Sequence, residues 1–311
     1  MRGLPAFALA LALAVTSPAV HAADRPTVGV ALTRSADTVP FFYALKSGMF
    51  EKAGLAVQYQ AMANGGAIAA AVIGGAVNVG FSNVQTLIAA HAKHIPFTII
   101  TPGGEYDDAK PTTALLIGGE SPLKNAKDLE GKTVVVGALQ DLQALSVWVW
   151  MSANGADPGK VRFIEAPQSA APVMLRQKRA DAIVVSEPNL EYAQSNGARI
   201  LAKTYGAIAP HLLVSGWYGT QAWTKANPEA VARFADVMRR ASAYANAHPD
   251  EMEPVIHEYT EIPVDVLHKM LRVKQGTTLV PADLQTVIDA AARFKIIDKP
   301  FPARDIIAGD S

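Results

Sequence analysis

In the stretch KRADAIVVSEP, residues 178 to 188, Asp181 stands before four apolar residues and Glu187 follows them one residue later. Two carboxyls placed this way are candidates for a general acid and base, for a ligand clamp, or for capping groups. An extended strand rising about 3.3 Å per residue holds them roughly 16 to 20 Å apart, too far for a shared reaction. Arg34 could grip a carboxylate, sulfonate or phosphonate with two parallel hydrogen bonds. His91 and His94 form an H-x-x-H with no Glu or Cys near them in sequence, a poor zinc set. Glu105, Asp107 and Asp108 crowd one loop but lack the alternating calcium-loop pattern and its closing Glu. GFSNV has Val84 where a nucleophile elbow needs its second Gly, and neither a P-loop nor a dinucleotide-binding glycine fingerprint occurs.

The elements that must position these residues alternate between the strand and helix periods. TVGVAL (27 to 32), LAVQYQAM (55 to 62), VNVGFS (77 to 82) and FTIIT (97 to 101) read as strands separated by single helices. The first helix is expected from Pro40, with Phe42, Leu45 and Met49 on its buried face. A second set follows: TVVVGAL (133 to 139), VRFIEA (161 to 166), DAIVVS (181 to 186) and RILAK (199 to 203), with helices between. Strands alternating with helices build parallel sheets covered on both faces, so the expectation is an α/β chain of two doubly wound lobes. TTALLIGGE (112 to 120) and PHLLVSGWYGT (210 to 220) are expected to be the two antiparallel hinge strands between them. The expected division is residues 23 to 117 with 214 to 311 as the first lobe, carrying a helical C-terminal tail, and 118 to 213 as the second. GGAVNVGFSN and KRADAIVVSE form a weak internal repeat, with Asn78 and Asp181 in equivalent places before an apolar strand.

The ends and the composition bound the setting. One Arg, an apolar run from Leu4 to Val15 and the small-x-small site VHA form the three regions of a secretory signal peptide, residues 1 to 22. With 0 Cys the chain has neither disulfides nor a lipid-bearing thiol, so a free protein of the periplasm is expected. A formal net charge of 0, with charges interspersed, suggests no nucleic-acid or anionic-membrane partner.

In open α/β sheets a ligand sits at the carboxyl ends of the strands, where helix N-termini turn unsatisfied N–H groups outward. Those turns carry Arg34 and Ser35, Asn64 and Gly65, Ser82 and Asn83, Gln140 and Asp141, and Glu187. Tyr106 after the fourth strand and Trp217 near the hinge could stack on a flat ligand. Asp181, at the amino end of its strand, is a turn and capping group.

Pro40, Ala44, Gly48, Phe50, Gly54 and Leu55 spell P-x-x-x-A-x-x-x-G-x-F-x-x-x-G-L, and KDLEGK (127 to 132) and ADAIVVSEP (180 to 188) follow in order. The chain thereby resembles the periplasmic solute-binding proteins of ABC importers for nitrate, alkanesulfonates, taurine and thiamine-precursor pyrimidines. The resemblance implies the type II periplasmic binding fold, two lobes on a two-strand hinge. It also implies a monomer that takes a small molecule to a membrane permease, without catalysis or cofactor. It places the ligand pocket at Arg34, Asn64, Ser82, Gln140 and Glu187. Asn78 stands where the family commonly has Asp, and GALQDLQA replaces the Gly-Ser turn of sulfonate binders. A larger organic ligand, an aromatic acid or a heterocycle with N–H groups, fits that turn better than nitrate or a simple sulfonate. The alternatives are an enzyme on the same fold, with Glu187, Asp141 or the acids at 105 to 108 as its only acid candidates, and a sensor's ligand-binding component.

Overall fold

A computed structural model describes residues 25–308, so the expected signal peptide at 1 to 22 lies outside the described residues. The chain opens on β1 (Thr27–Leu32), β2 (Ala56–Ala61), β3 (Val79–Asn83) and β4 (Phe97–Pro102), then crosses on β5 (Gly104–Asp107). Beyond the crossing it builds β6 (Thr113–Gly118), β7 (Thr133–Val136), β8 (Arg162–Glu165), β9 (Ala182–Ser186) and β10 (Ala198–Ala202). It returns on β11 (His211–Leu213), enters β12 (Ser215–Thr220), and adds the short β13 (Lys274–Gln275) from its helical tail.

Three sheets result, in the orders β2-β1-β3-β12-β4, β10-β6-β9-β7-β8 and β11-β5-β13. In the first sheet β12 runs antiparallel between β3 and β4; in the second, β6 runs antiparallel to both β9 and β10. The segment expected to be the outward hinge strand is therefore a strand of the second sheet, and residues 113–117 pair there rather than with the first lobe. Its five buried residues, Thr113 to Ile117, explain the difference, since a crossing strand has too few neighbours to bury so many in succession. The crossing itself is β5, paired antiparallel with β11 and flanked by β13.

The two-residue period of β1 divides the first lobe's core. Val28, Val30 and Leu32 join one buried cluster with Phe41, Phe81, Trp217 and Phe234, while Ala31 joins another with Ile68, Leu87, Tyr218 and Leu284. The tail covers both faces, through helix Pro228–Ala247 on the first cluster and helix Pro281–Arg293 on the second. The first helix is shorter than its pattern suggests. It runs Val39–Lys46, and Gly48 at φ 68° turns the chain into a separate helix, Met49–Lys52. That left-handed position suits glycine and ends the helix, so Phe41 and Phe42 are buried where Leu45 and Met49 are only partly so. Helix Leu142–Ala153 ties the lobes together: Leu142, Leu145 and Val149 pack in the first lobe's cluster, and Ala144, Val147 and Met151 in the second lobe's. Among the described residues no helix is long and apolar enough to cross a membrane.

The sequence repeat is also a repeat of structure. Asn78 Oδ1 accepts the Gly29 N–H at 2.8 Å, and Asp181 Oδ2 accepts the Thr133 N–H at 2.8 Å. The reciprocal backbone bonds, Asn78 N–H to Gly29 O and Asp181 N–H to Thr133 O, are 2.8 and 3.0 Å. Each side chain thus braces the start of its lobe's central parallel pair, β3 on β1 and β9 on β7. Asn78→Ala and Asp181→Ala are each expected to cost about 1 kcal/mol in chemical denaturation and to leave the cleft unchanged.

Candidate functional site

The carboxyl ends of β1, β3, β7 and β9 open on one cavity of about 860 Å³ between the two main sheets. From the first lobe's strand ends, Arg34, Ser35, Asn64, Gly65, Ser82 and Asn83 line it. Across from them stand Asp141 and Glu187. Several of these polar groups are already committed to the scaffold. Asn64 caps helix Gly65–Ile73 by accepting the Ala67 N–H at 3.0 Å, and Asn83 caps helix Val84–Ala92 through the Thr86 N–H at 3.1 Å. Asp141 accepts the Ala144 N–H at 3.0 Å and the Ala138 N–H at 3.1 Å, one on each carboxyl oxygen. Three helix N-termini thereby face the cavity with their first N–H groups partly satisfied.

Glu187 is a strut between the lobes. Its Oε2 accepts the Glu191 N–H at 3.0 Å within the second lobe. Its Oε1 accepts the Leu271 N–H at 3.1 Å from the C-terminal tail of the first. Burial is the largest influence on both this carboxyl and that of Asp141, and pushes each up to about 7 despite the N–H groups that favour the charged form.

Tyr106, Gln140 and Trp217 do not line the cavity. Tyr106 is buried in β5 at the crossing, its hydroxyl donating to Asp108 Oδ1 at 2.9 Å and its ring edge-on to Tyr205. Gln140 is exposed, in the turn before the helix that Asp141 caps. Trp217 is 0% exposed, stacked on Phe41 at 5.2 Å and tilted against Phe81 at 4.7 Å. The alternation of β12 sends Trp217 into one core cluster and Tyr218 into the other.

The weaker constellations stay apart. His91 packs on the Phe301 ring at 4.2 Å, and burial lowers its pKa. Glu105 pairs with Lys274 at 2.7 Å, while Asp107 and Asp108 bond locally. Among the described residues no three His, Cys, Asp or Glu side chains gather as a metal site.

Sequence reasoning missed several parts of the wall, among them Pro167 to Ser169 after β8, Tyr192, and three further groups. Asp37 lies in the short turn after β1, with burial raising its pKa. Tyr205 stands where the chain leaves the second lobe, its phenol held protonated by burial and by the flanking Asp141 and Asp37. Tyr259 to Pro263 come from the helical tail, with Tyr259 stacked on Phe42 at 4.5 Å and its hydroxyl donating to Ser35 O at 3.0 Å. Gly103–Gly104 at the end of β4 was the available signal for Asp37, since paired glycines at a strand end permit close approach.

A model of the NMT1/THI5-like family matches residues 35–252, which is more than half of the chain and includes strands of both main sheets. The chain belongs to the NMT1/THI5-like family. No curated protein sequence matches it. Solved structures show the fold of this NMT1/THI5-like protein. A Bordetella bronchiseptica protein matches with a TM-score of 0.80 at 20% identity, over 91% of this chain and 95% of the other. The alkanesulfonate-binding protein SsuA from Xanthomonas axonopodis pv. citri, bound to MOPS, matches with a TM-score of 0.77 at 13% identity, over 91% and 98%. The periplasmic nitrate-binding protein NrtA from Synechocystis PCC 6803 matches with a TM-score of 0.73 at 14% identity, over 91% and 85%. The fold of this NMT1/THI5-like chain is thus that of the periplasmic binding proteins of ABC importers, as the sequence motifs implied.

Proposed function

We propose that this protein is the soluble substrate-binding component of an ABC importer, acting as a monomer in the periplasm. In this reading it captures a small organic ligand between its lobes and hands it to a membrane permease. The observation that carries the reading is the cavity of about 860 Å³, walled by strand ends of both lobes and bridged by the Glu187 to Leu271 bond. A ligand touching both walls binds the closed arrangement more tightly than the open one, and that difference is what drives closure. The volume lies in the range of sites for organic molecules and leaves most of its space unfilled by an ion the size of nitrate. Arg34, Ser35, Asn64, Gly65, Ser82 and Asn83 would meet the ligand from one side and Asp141 and Glu187 from the other, the last two chiefly by holding the wall in place.

The test is a thermal-shift screen of the mature protein after unfolding and refolding, which strips any captured ligand. Sulfonates, aromatic carboxylates, amines, heterocycles and nitrate form the panel. An organic ligand at a hundredfold excess over its Kd should add about 2.7 kcal/mol of stability. A refolded, cooperative protein whose Tm responds to no class would contradict the reading.

A further inference from the structure

Asp37 is held in the cavity wall by a directed chain of hydrogen bonds. The Gly104 N–H donates to Ser215 Oγ at 2.8 Å, and the Ser215 hydroxyl donates to Asp37 Oδ2 at 2.6 Å. Ser215 has one proton and gives it to the carboxyl, so Asp37 is the terminal acceptor and the chain favours its charged form. Three separate segments fix it: the turn after β1, the start of β5 and the start of β12. A Cβ at 104 would lie 2.7 Å from the Asp37 carboxyl carbon, so any residue larger than glycine there would displace that side chain.

The other carboxyls of the wall differ from it. Asp141 and Glu187 each use both oxygens on backbone N–H groups, and Glu261 is exposed at the rim. Asp37 is half-buried; besides Ser215 only its own backbone N–H donates to it, and among the described residues no Lys, Arg or His side chain pairs with it. A carboxyl partly withdrawn from water, facing a cleft and without a cation beside it, gains from a ligand that brings one. Ser82 adds a second unpaired group. It is 3% exposed, lines the same cavity, and its hydroxyl has no partner within the protein.

Building on the ligand-capture reading, we infer that Asp37 is the recognition carboxylate of the cleft and that the ligand presents to it a protonated amine or an amidinium group. The Ser82 hydroxyl supplies a further hydrogen bond to the same ligand. Arg34 and the three helix N-termini put positive charge along the rest of the wall, so any anionic group on that ligand lies away from Asp37.

The experiment compares matched probes of opposite polarity on refolded protein by calorimetric titration and thermal shift. Benzamidine and 4-(aminomethyl)benzoate offer the cationic N–H group; benzoate and benzenesulfonate do not. Wild type should bind one or both of the first pair, and Asp37→Asn, folded by circular dichroism, should bind it at least about tenfold more weakly, the scale of a lost charge-assisted hydrogen bond. Ser215→Ala keeps the carboxyl but removes its anchor, and should weaken the same probe to a lesser degree. Binding of the anions alone, or equal binding of the N–H probes to wild type and Asp37→Asn, would overturn the assignment while leaving ligand capture intact. Silence toward every probe of both polarities and toward the wider screen would remove the capture reading and the assignment together.

Discussion

Trp217→Ala is expected to lower the unfolding free energy by about 3 to 5 kcal/mol, the range for emptying a buried aromatic site. The side chain is 0% exposed, with Phe41, Phe81 and Phe234 around it at ring distances of 5.2, 4.7 and 5.7 Å. Helices and strands on all sides limit how far the site can collapse, so most of the volume would remain as a cavity. Trp217→Phe should cost much less. It keeps aromatic packing and removes the Nε1–H, which is buried without a partner and therefore carries a desolvation penalty in the native state. Urea unfolding of the three proteins measures the difference. Ligand affinity of Trp217→Phe should match wild type, because Trp217 lies behind Phe81 and does not line the cavity. A loss of affinity with stability retained would return Trp217 to the site.

The second large effect is on pH dependence. Asp141 and Glu187 have usual values of 3.8 and 4.5 and are each pushed up to about 7 in the folded protein. The native state therefore binds protons that the unfolded chain has already released, and stability falls as pH rises between those limits. The contribution of each is fully present below its usual value and is lost as pH rises through about 7. At about 1.4 kcal/mol per pKa unit, the loss across that window is on the order of 4 kcal/mol for Asp141 and 3 kcal/mol for Glu187. Thermal unfolding followed from pH 4 to 8 should show Tm declining toward the alkaline end. Glu187→Gln, which resembles the protonated carboxyl, should flatten that decline and so lose less stability than wild type on going from pH 5 to pH 8. An unchanged slope in Glu187→Gln would show that this strut is not what titrates.

The sequence made the repeating architecture legible because β-branched runs and helix-period runs alternate cleanly from Thr27 to Ala202. It misplaced the crossing for a physical reason. β5 and β11 have 4 and 3 residues, too short to display a period, whereas the apolar run of β6 reads as the more conspicuous strand. Asn64, Asn83 and Asp141 were readable as polar residues opening helices, and the fold puts all three at the cleft. What could not be read was which of them had hydrogen-bonding capacity left for a ligand. Glu187 looked like a free acceptor at the rim until its second oxygen met the Leu271 N–H, 84 residues further along the chain. Asp37 is the converse. It precedes an apolar helix as many unremarkable turn acids do, and only the return of the chain at Gly104 and Ser215 sets it into the wall. The tail's Tyr259 to Pro263 belong to the same class, since nothing local marks a loop between helices as part of a cleft formed some two hundred residues earlier.

The binding account stands or falls on closure around a ligand. Small-angle X-ray scattering on refolded protein, with and without a compound that raises Tm, measures that directly. The account predicts a smaller radius of gyration in the bound sample, reached only while the Glu187 to Leu271 bridge can form. A scattering profile identical in both samples, at ligand concentrations that saturate the thermal shift, would contradict capture between the lobes.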